Sequence, residues 1–263
     1  MALNLSGKTV FITGAGGRLG VQHIDRLSSF GAVVIATELP GERFDYLRNR
    51  YGERKDVFLY PLDVCVENDV VSIFKQILLD DLSPNVFINN AAITGELLMG
   101  AGKSFPDLAN TSLADWNKTV DVNLTGAFII ARQIDRDIVG KYPVSVINIS
   151  TMYAMRAPHH HIYEDMPFKS FCAYSASKAG IHGLTLWLAS YWARQEVNVN
   201  TIAPGAVNNN HSDLFKNRVG ELIMKGKMAE PSQISDAIAL LCSDLSSYMT
   251  AQLINVDGGF SGW

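Results

Sequence analysis

Apolar residues along this chain gather in short, largely β-branched runs, separated by longer stretches in which they recur every three or four positions. The short runs predict strands at Thr9 to Thr13, Val33 to Thr37, Val57 to Tyr60, Val86 to Ile88, Val144 to Ile149, Val197 to Ile202 and Leu253 to Val256. The amphipathic stretches between them predict helices, one of them from Leu19 to Phe30. Strands that alternate with helices in this way build a doubly wound α/β fold, a parallel sheet with helices on both faces. No repeat, low-complexity tract or linker divides the 263 residues, so one domain over residues 1–263 is expected.

Two segments break the rhythm, 94–111 and 152–172, and 207–228 is a third candidate substrate loop. Each follows a predicted strand at its carboxyl end, where open α/β sheets bind ligands. Long connections of this kind often carry function, so all three are expected to line a substrate site.

Composition narrows the class. Hydrophobic residues make up 48% and charged residues 18%, as in a globular enzyme and unlike a disordered chain. The net charge of −4 leaves no basic footprint for nucleic acid. Cys65, Cys172 and Cys242 are odd in number and far apart, without metal-ligand spacing, which suits a reducing cytoplasm and predicts no metal site. No export signal is readable, and no apolar run approaches the ~18 residues of a membrane span.

The first predicted strand runs into Thr13-Gly14-Ala15-Gly16-Gly17-Arg18-Leu19-Gly20 and then a helix. Glycines allow a tight turn and close backbone approach, while the free N–H groups of a helix start face a pyrophosphate. Glu38 ends the second strand, about 20 residues on, where a ribose-binding carboxylate belongs. A carboxylate there accepts from ribose hydroxyls and repels a 2′-phosphate, which favours NAD(H). The guanidinium of Arg18 keeps NADP(H) open.

Further on, Tyr174-Ser175-Ala176-Ser177-Lys178 sets a tyrosine and a lysine four apart, on one face of a predicted helix. An ammonium beside a phenol favours the phenolate and makes it a usable acid or base near neutral pH.

Together these residues resemble the short-chain dehydrogenase/reductase family, in ordered motifs over nearly the whole chain. Asp63, Asn89-Asn90-Ala91-Ala92, Asp121-Val122-Asn123-Leu124-Thr125-Gly126, Ala203-Pro204-Gly205-Ala206-Val207 and Val256-Asp257-Gly258-Gly259 complete the pattern. The resemblance implies a Rossmann-like fold, a small-molecule substrate and a homo-oligomer, dimer or tetramer. It assigns the cofactor to Gly14, Gly17, Arg18, Leu19, Gly20, Glu38, Asp63, Val64, Asn90, Ala91, Ala92, Tyr174, Lys178, Pro204, Gly205 and Val207. Tyr174 would exchange the proton, Lys178 would bind the nicotinamide ribose, and Asn123 would complete a proton relay.

Thr151 stands where the family usually has a substrate-orienting serine, with Ser150 before it. Successive strand residues face opposite sides, so one hydroxyl of the two meets the substrate, and Thr151 is the expected one. The glycine loop also fits the TGxxGxxG spacing of the longer sugar-nucleotide epimerases and dehydratases. Asn208 occupies the place of the threonine that anchors the carboxamide. Thr94, Met152, Tyr163 and Asn208 are the expected substrate contacts.

A narrower resemblance joins the chain to the branch of flagellin-modification and legionaminic-acid-type sugar enzymes, through TGAGG, the Ala157-Pro158 to Tyr163 insertion and the end Val256-Asp257-Gly258-Gly259-Phe260-Ser261-Gly262-Trp263. It implies an amino-sugar or sugar-nucleotide substrate. Two rival readings are an epimerase or dehydratase that recycles bound NAD, and a dinucleotide-sensing regulator. The Met249 to Trp263 tail either packs against a neighbouring subunit or folds back on its own.

Overall fold

The structure, a computed structural model, describes residues 3–99 and 106–263. Seven strands form one sheet: β1 (Thr9–Ile12), β2 (Val33–Glu38), β3 (Val57–Pro61), β4 (Val86–Asn89), β5 (Val144–Ile149), β6 (Val197–Pro204) and β7 (Leu253–Val256). Every pairing is parallel and the order is β3-β2-β1-β4-β5-β6-β7, the Rossmann-like arrangement expected.

The helices follow the strands as α1 (Arg18–Ser29), α2 (Glu42–Tyr51), α3 (Glu67–Leu79), α4 (Gly95–Met99), α5 (Leu113–Val120), α6 (Gly126–Asp137), α7 (Cys172–Tyr191), α8 (Asp213–Gly220) and α9 (Pro231–Cys242). No helix of the described residues is long and apolar enough to cross a membrane.

Alternate residues of each strand feed opposite faces of the sheet. On β1, Val10 and Ile12 join a cluster with Ile24, Leu27, Ile234 and Ile238 of α1 and α9. Phe11 points the other way, to Phe74, Phe87 and Ile134. The strand order reverses between β1 and β4, so the loops leaving these strands diverge and open a crevice at the carboxyl edge.

A third cluster caps that edge. Met152 and Ile162 from the segment after β5 meet Phe215 and Val219 of α8, and Phe260 closes the group at 4% exposure. The tail therefore folds back on its own chain at Phe260. The Trp263 indole donates to the Leu222 carbonyl at 2.9 Å while its ring stays 71% exposed.

The irregular segments hold more order than their composition suggests. Short 3₁₀ turns at Met152–Ala154 and His160–Tyr163 structure 152–172, and α8 lies within 207–228. In 94–111, α4 and a 3₁₀ turn at Leu108–Asn110 flank residues 100–105, which lie outside the described residues.

Candidate active site

The glycine loop leaves β1 under two steric constraints. Gly14 has φ +63°, and a Cβ on it would lie 2.6 Å from the Ala91 Cα. At Gly20 a Cβ would lie 2.6 Å from the Gly14 carbonyl oxygen. A side chain at either place would push the loop off β4 or off α1, so the cradle needs hydrogen there. The Asn90 amide pins the same loop, donating to the Thr13 and Gly14 carbonyls at 3.0 and 2.9 Å.

Glu38 stands at the end of β2, 6% exposed, and its Oε2 accepts from the Gly16 N–H at 2.9 Å. Its carboxylate thus braces the glycine loop and lines the same cleft as the exposed residues Arg18 and Arg43. Asp63 accepts from the Cys65 N–H at 2.9 Å and fixes the turn after β3.

A cleft of about 770 Å³ runs along this edge. Every residue assigned above to the cofactor lines it, and so do Thr94 and Thr151. A second cavity of about 220 Å³ adjoins it and shares Thr94, Thr151, Tyr174, Gly205 and Val207 with it. Met152 and Tyr163 line this smaller cavity, whose walls are largely aromatic. Asn208 lines neither. Its amide nitrogen donates to Glu230 Oε1 at 3.2 Å, and Asn209 is the residue of that run on the cleft wall.

Tyr174 and Thr151 meet at the junction of the two cavities, both of which they line. Burial raises the Tyr174 phenol above its usual range, the Thr151 hydrogen bond opposes that rise, and the nearby Tyr153 adds to it. Lys178, 2% exposed, donates from Nζ to the Ile149 carbonyl at 2.7 Å, and burial lowers its ammonium to about 8. The influence expected of Lys178 on Tyr174 is therefore not the one expressed here: the ammonium turns to the end of β5, and the Thr151 hydroxyl is the group that favours the phenolate.

Ser150 faces away from that junction in its bonding, since its hydroxyl donates to the Lys178 carbonyl at 2.7 Å. Asn123 lies in a single π turn, Asp121–Thr125, between α5 and α6. Such turns are frequent at functional sites. Its side chain accepts from the Ile93 N–H at 2.7 Å and donates to the Ile93 carbonyl and to Ser177 Oγ, both at 3.1 Å. It thus ties the loop after β4 to the helix that carries Tyr174.

A family model described as enoyl-(acyl carrier protein) reductase matches residues 18–261. The chain belongs to the short-chain dehydrogenase/reductase family. This dehydrogenase/reductase is an NAD(P)-dependent oxidoreductase that acts on CH–OH and carbonyl groups. It is 29% identical to a 3-oxoacyl-[acyl-carrier-protein] reductase of Aquifex aeolicus, over 98% of this chain and 99% of that one. It is 30% identical to 3beta-hydroxysteroid dehydrogenase 1 of Eggerthella lenta, over 98% and 95%. A short-chain dehydrogenase from Leptospira borgpetersenii, solved with bound NAD+, superposes with a TM-score of 0.82 at 27% identity, over 97% of this chain and 92% of that one. Equal likeness to an acyl-carrier reductase and a steroid dehydrogenase means that overall identity does not select the substrate of this dehydrogenase/reductase.

The sequence reading missed several residues of the walls. Leu39 and Arg43, after β2, line the larger cleft, and Tyr153, Phe168, His211 and Phe215 line the smaller. The first pair follows a strand at the binding edge and was findable on that ground. The others come from two segments that meet only in the folded chain. The ring of His159 packs edge-on against Phe260 and His161.

Proposed function

We propose that this chain, acting as one domain, interconverts an alcohol and a carbonyl on a compact polyhydroxylated substrate of sugar type, with NAD(H) as the preferred dinucleotide. The observation that carries the reading is that Tyr174 and Thr151 line both cavities where these join.

The larger cleft suits a dinucleotide because the close backbone packing that Gly14 and Gly20 permit holds the loop and the start of α1 along its wall. In this reading the N–H groups at the start of α1 receive the pyrophosphate, Glu38 receives the adenosine ribose hydroxyls, and Asp63 with Val64 borders the adenine. Pro204, Gly205 and Val207 border the nicotinamide, and Lys178 reaches its ribose. When bound, the dinucleotide supplies or accepts a hydride.

During reduction the substrate carbonyl oxygen takes its proton from the Tyr174 hydroxyl while Thr151 orients that oxygen. The Tyr174 phenolate is then reprotonated from solvent. In oxidation the same phenolate takes the alcohol proton. A charged Lys178 ammonium, one helical turn from Tyr174 on α7, would favour the phenolate. Asn123 acts as a positioning residue, since its side chain holds the relay's walls at Ile93 and Ser177.

The sugar-type substrate draws on the phenols and aromatic rings of the smaller cavity, which offer hydroxyl partners and stacking faces. It also draws on the resemblance to the flagellin-modification and legionaminic-acid-type branch. The free thiols Cys65, Cys172 and Cys242 fit the reducing cytoplasm. The exposed, stacked Trp187 and Tyr191 of α7, with ring centroids 4.9 Å apart, fit a homo-oligomer.

Turnover of a panel of ketoses, amino-sugar ketones, 3-oxoacyl thioesters and steroid ketones, followed by NADH absorbance, tests this. Preference for the sugar-type ketones is expected. Preference for 3-oxoacyl thioesters would overturn the substrate class.

A further inference from the structure

The smaller cavity holds a polar device that the family motifs do not include. Tyr153 lies on the 3₁₀ turn Met152–Ala154, and its N–H is directed at Thr151 Oγ1, 3.5 Å away. Its backbone thus stands two residues beyond the hydroxyl assigned to the substrate carbonyl. The Tyr153 hydroxyl lies 2.9 Å from that of Tyr163, and the Tyr153 ring packs edge-on against Phe260 with centroids 6.0 Å apart. Both phenols line the same cavity as Tyr174 and Thr151.

A phenol oxygen has one proton to give and lone pairs to accept with. If Tyr163 donates to Tyr153, the Tyr153 proton is available to the cavity; if Tyr153 donates, a lone pair is. In either case a hydroxyl on a bound molecule finds a partner there. A ligand without one leaves a desolvated phenol with an unused bonding site, and built sites reject such analogues strongly. The cavity of about 220 Å³ keeps the reacting carbon and this second anchor within one small molecule.

We propose that Tyr153 is a specificity-determining residue that recognises a hydroxyl which the substrate carries close to its reacting carbonyl, so that the substrate is a hydroxylated carbonyl compound and its product a diol. This rests on the redox reading above. Tyr163 and Phe260 act as positioning residues that hold the Tyr153 ring against the cavity wall. Burial keeps the Tyr153 phenol above its usual range and so protonated at working pH, which suits neutral hydroxyl recognition.

The test compares paired ketones with and without the neighbouring hydroxyl, 2-hydroxycyclohexanone against cyclohexanone and hydroxyacetone against acetone, in the wild type, Tyr153→Phe and Tyr163→Phe. The wild type is expected to prefer the hydroxylated member by about tenfold or more in kcat/KM. Tyr153→Phe should bring that ratio close to one, mainly through KM for the hydroxylated member, and Tyr163→Phe should lower it part of the way. A variant that merely loosens the fold would depress both members together. A wild-type ratio near one, or a ratio that survives in Tyr153→Phe, overturns the role of Tyr153 and leaves the redox reading standing. No NADH or NADPH oxidation with any member overturns both.

Discussion

The Ser150 hydroxyl donates to the Lys178 backbone carbonyl at 2.7 Å, while Thr151, the next residue, stands with Tyr174 on the walls of both cavities. Two adjacent hydroxyls thus divide between scaffold and cleft, one bracing the helix that carries the lysine and the other beside the reacting phenol.

From this division, Thr151→Ala should lower kcat by about 10², the loss typical of one donor aimed at a reacting oxygen, and Thr151→Ser should keep much of the rate. Ser150→Ala should instead lower stability by about 1 kcal/mol through its lost buried hydrogen bond, with a smaller change in rate. Steady-state kinetics and thermal unfolding of the three variants check both halves. A larger rate loss at Ser150 than at Thr151 would reverse the assignment.

Glu38 presents its carboxylate to the cleft while holding the Gly16 N–H. Glu38→Gln removes the charge that opposes a 2′-phosphate and keeps an acceptor for one of the two N–H groups, of Gly16 and Leu39, that the carboxylate holds. Calorimetric titration should show tighter binding of NADH than NADPH by the wild type, and a shift of the ratio toward NADPH in the variant by about tenfold, or ~1.4 kcal/mol. Equal or tighter NADPH binding by the wild type would assign the choice to Arg18 and Arg43.

His23 of α1 is fully buried, with Nδ1 2.8 Å from Ser235 Oγ of α9, and burial lowers its imidazole to about 3. In the unfolded chain the same ring titrates near its ordinary value of 6.5. Between these values the unfolded state binds more protons than the native state, so this group makes stability fall as pH drops from 6.5 toward 3. Urea unfolding should register a smaller loss between pH 7 and pH 5 in His23→Gln than in the wild type, by ~2 kcal/mol. Identical pH slopes in the two proteins would mean that His23 is protonated within the fold.

The sheet was legible in the sequence because its strands are short β-branched runs whose signal is local. β6 extends past the predicted Ile202 to Pro204 because Ala203 and Pro204 pair with Asn255 and Val256 of β7, a long-range contact that composition does not carry. The cleft was legible for a similar reason: Gly14, Glu38, Asn90 and Tyr174 each stand at the carboxyl end of a strand or on the helix after it. Side-chain direction was less so. Spacing put Lys178 beside Tyr174 but could not say that a buried ammonium would turn to the Ile149 carbonyl. Nor could it say which of Asn208 and Asn209 faces the cleft, because the Ala229 pairing that orients this run comes from more than twenty residues away. Part of the smaller cavity's wall was hidden, because Tyr153 and Phe215 approach through the tertiary fold alone.

The account turns on Tyr174. Tyr174→Phe keeps the ring where it packs and removes the proton that the substrate oxygen would exchange. Stopped-flow measurement of hydride transfer, with dinucleotide titration of the same variant, should show a rate lower by about 10²–10⁴ and NADH affinity little changed. Near-normal hydride transfer in that variant would contradict the mechanism, because another group would then be supplying the proton.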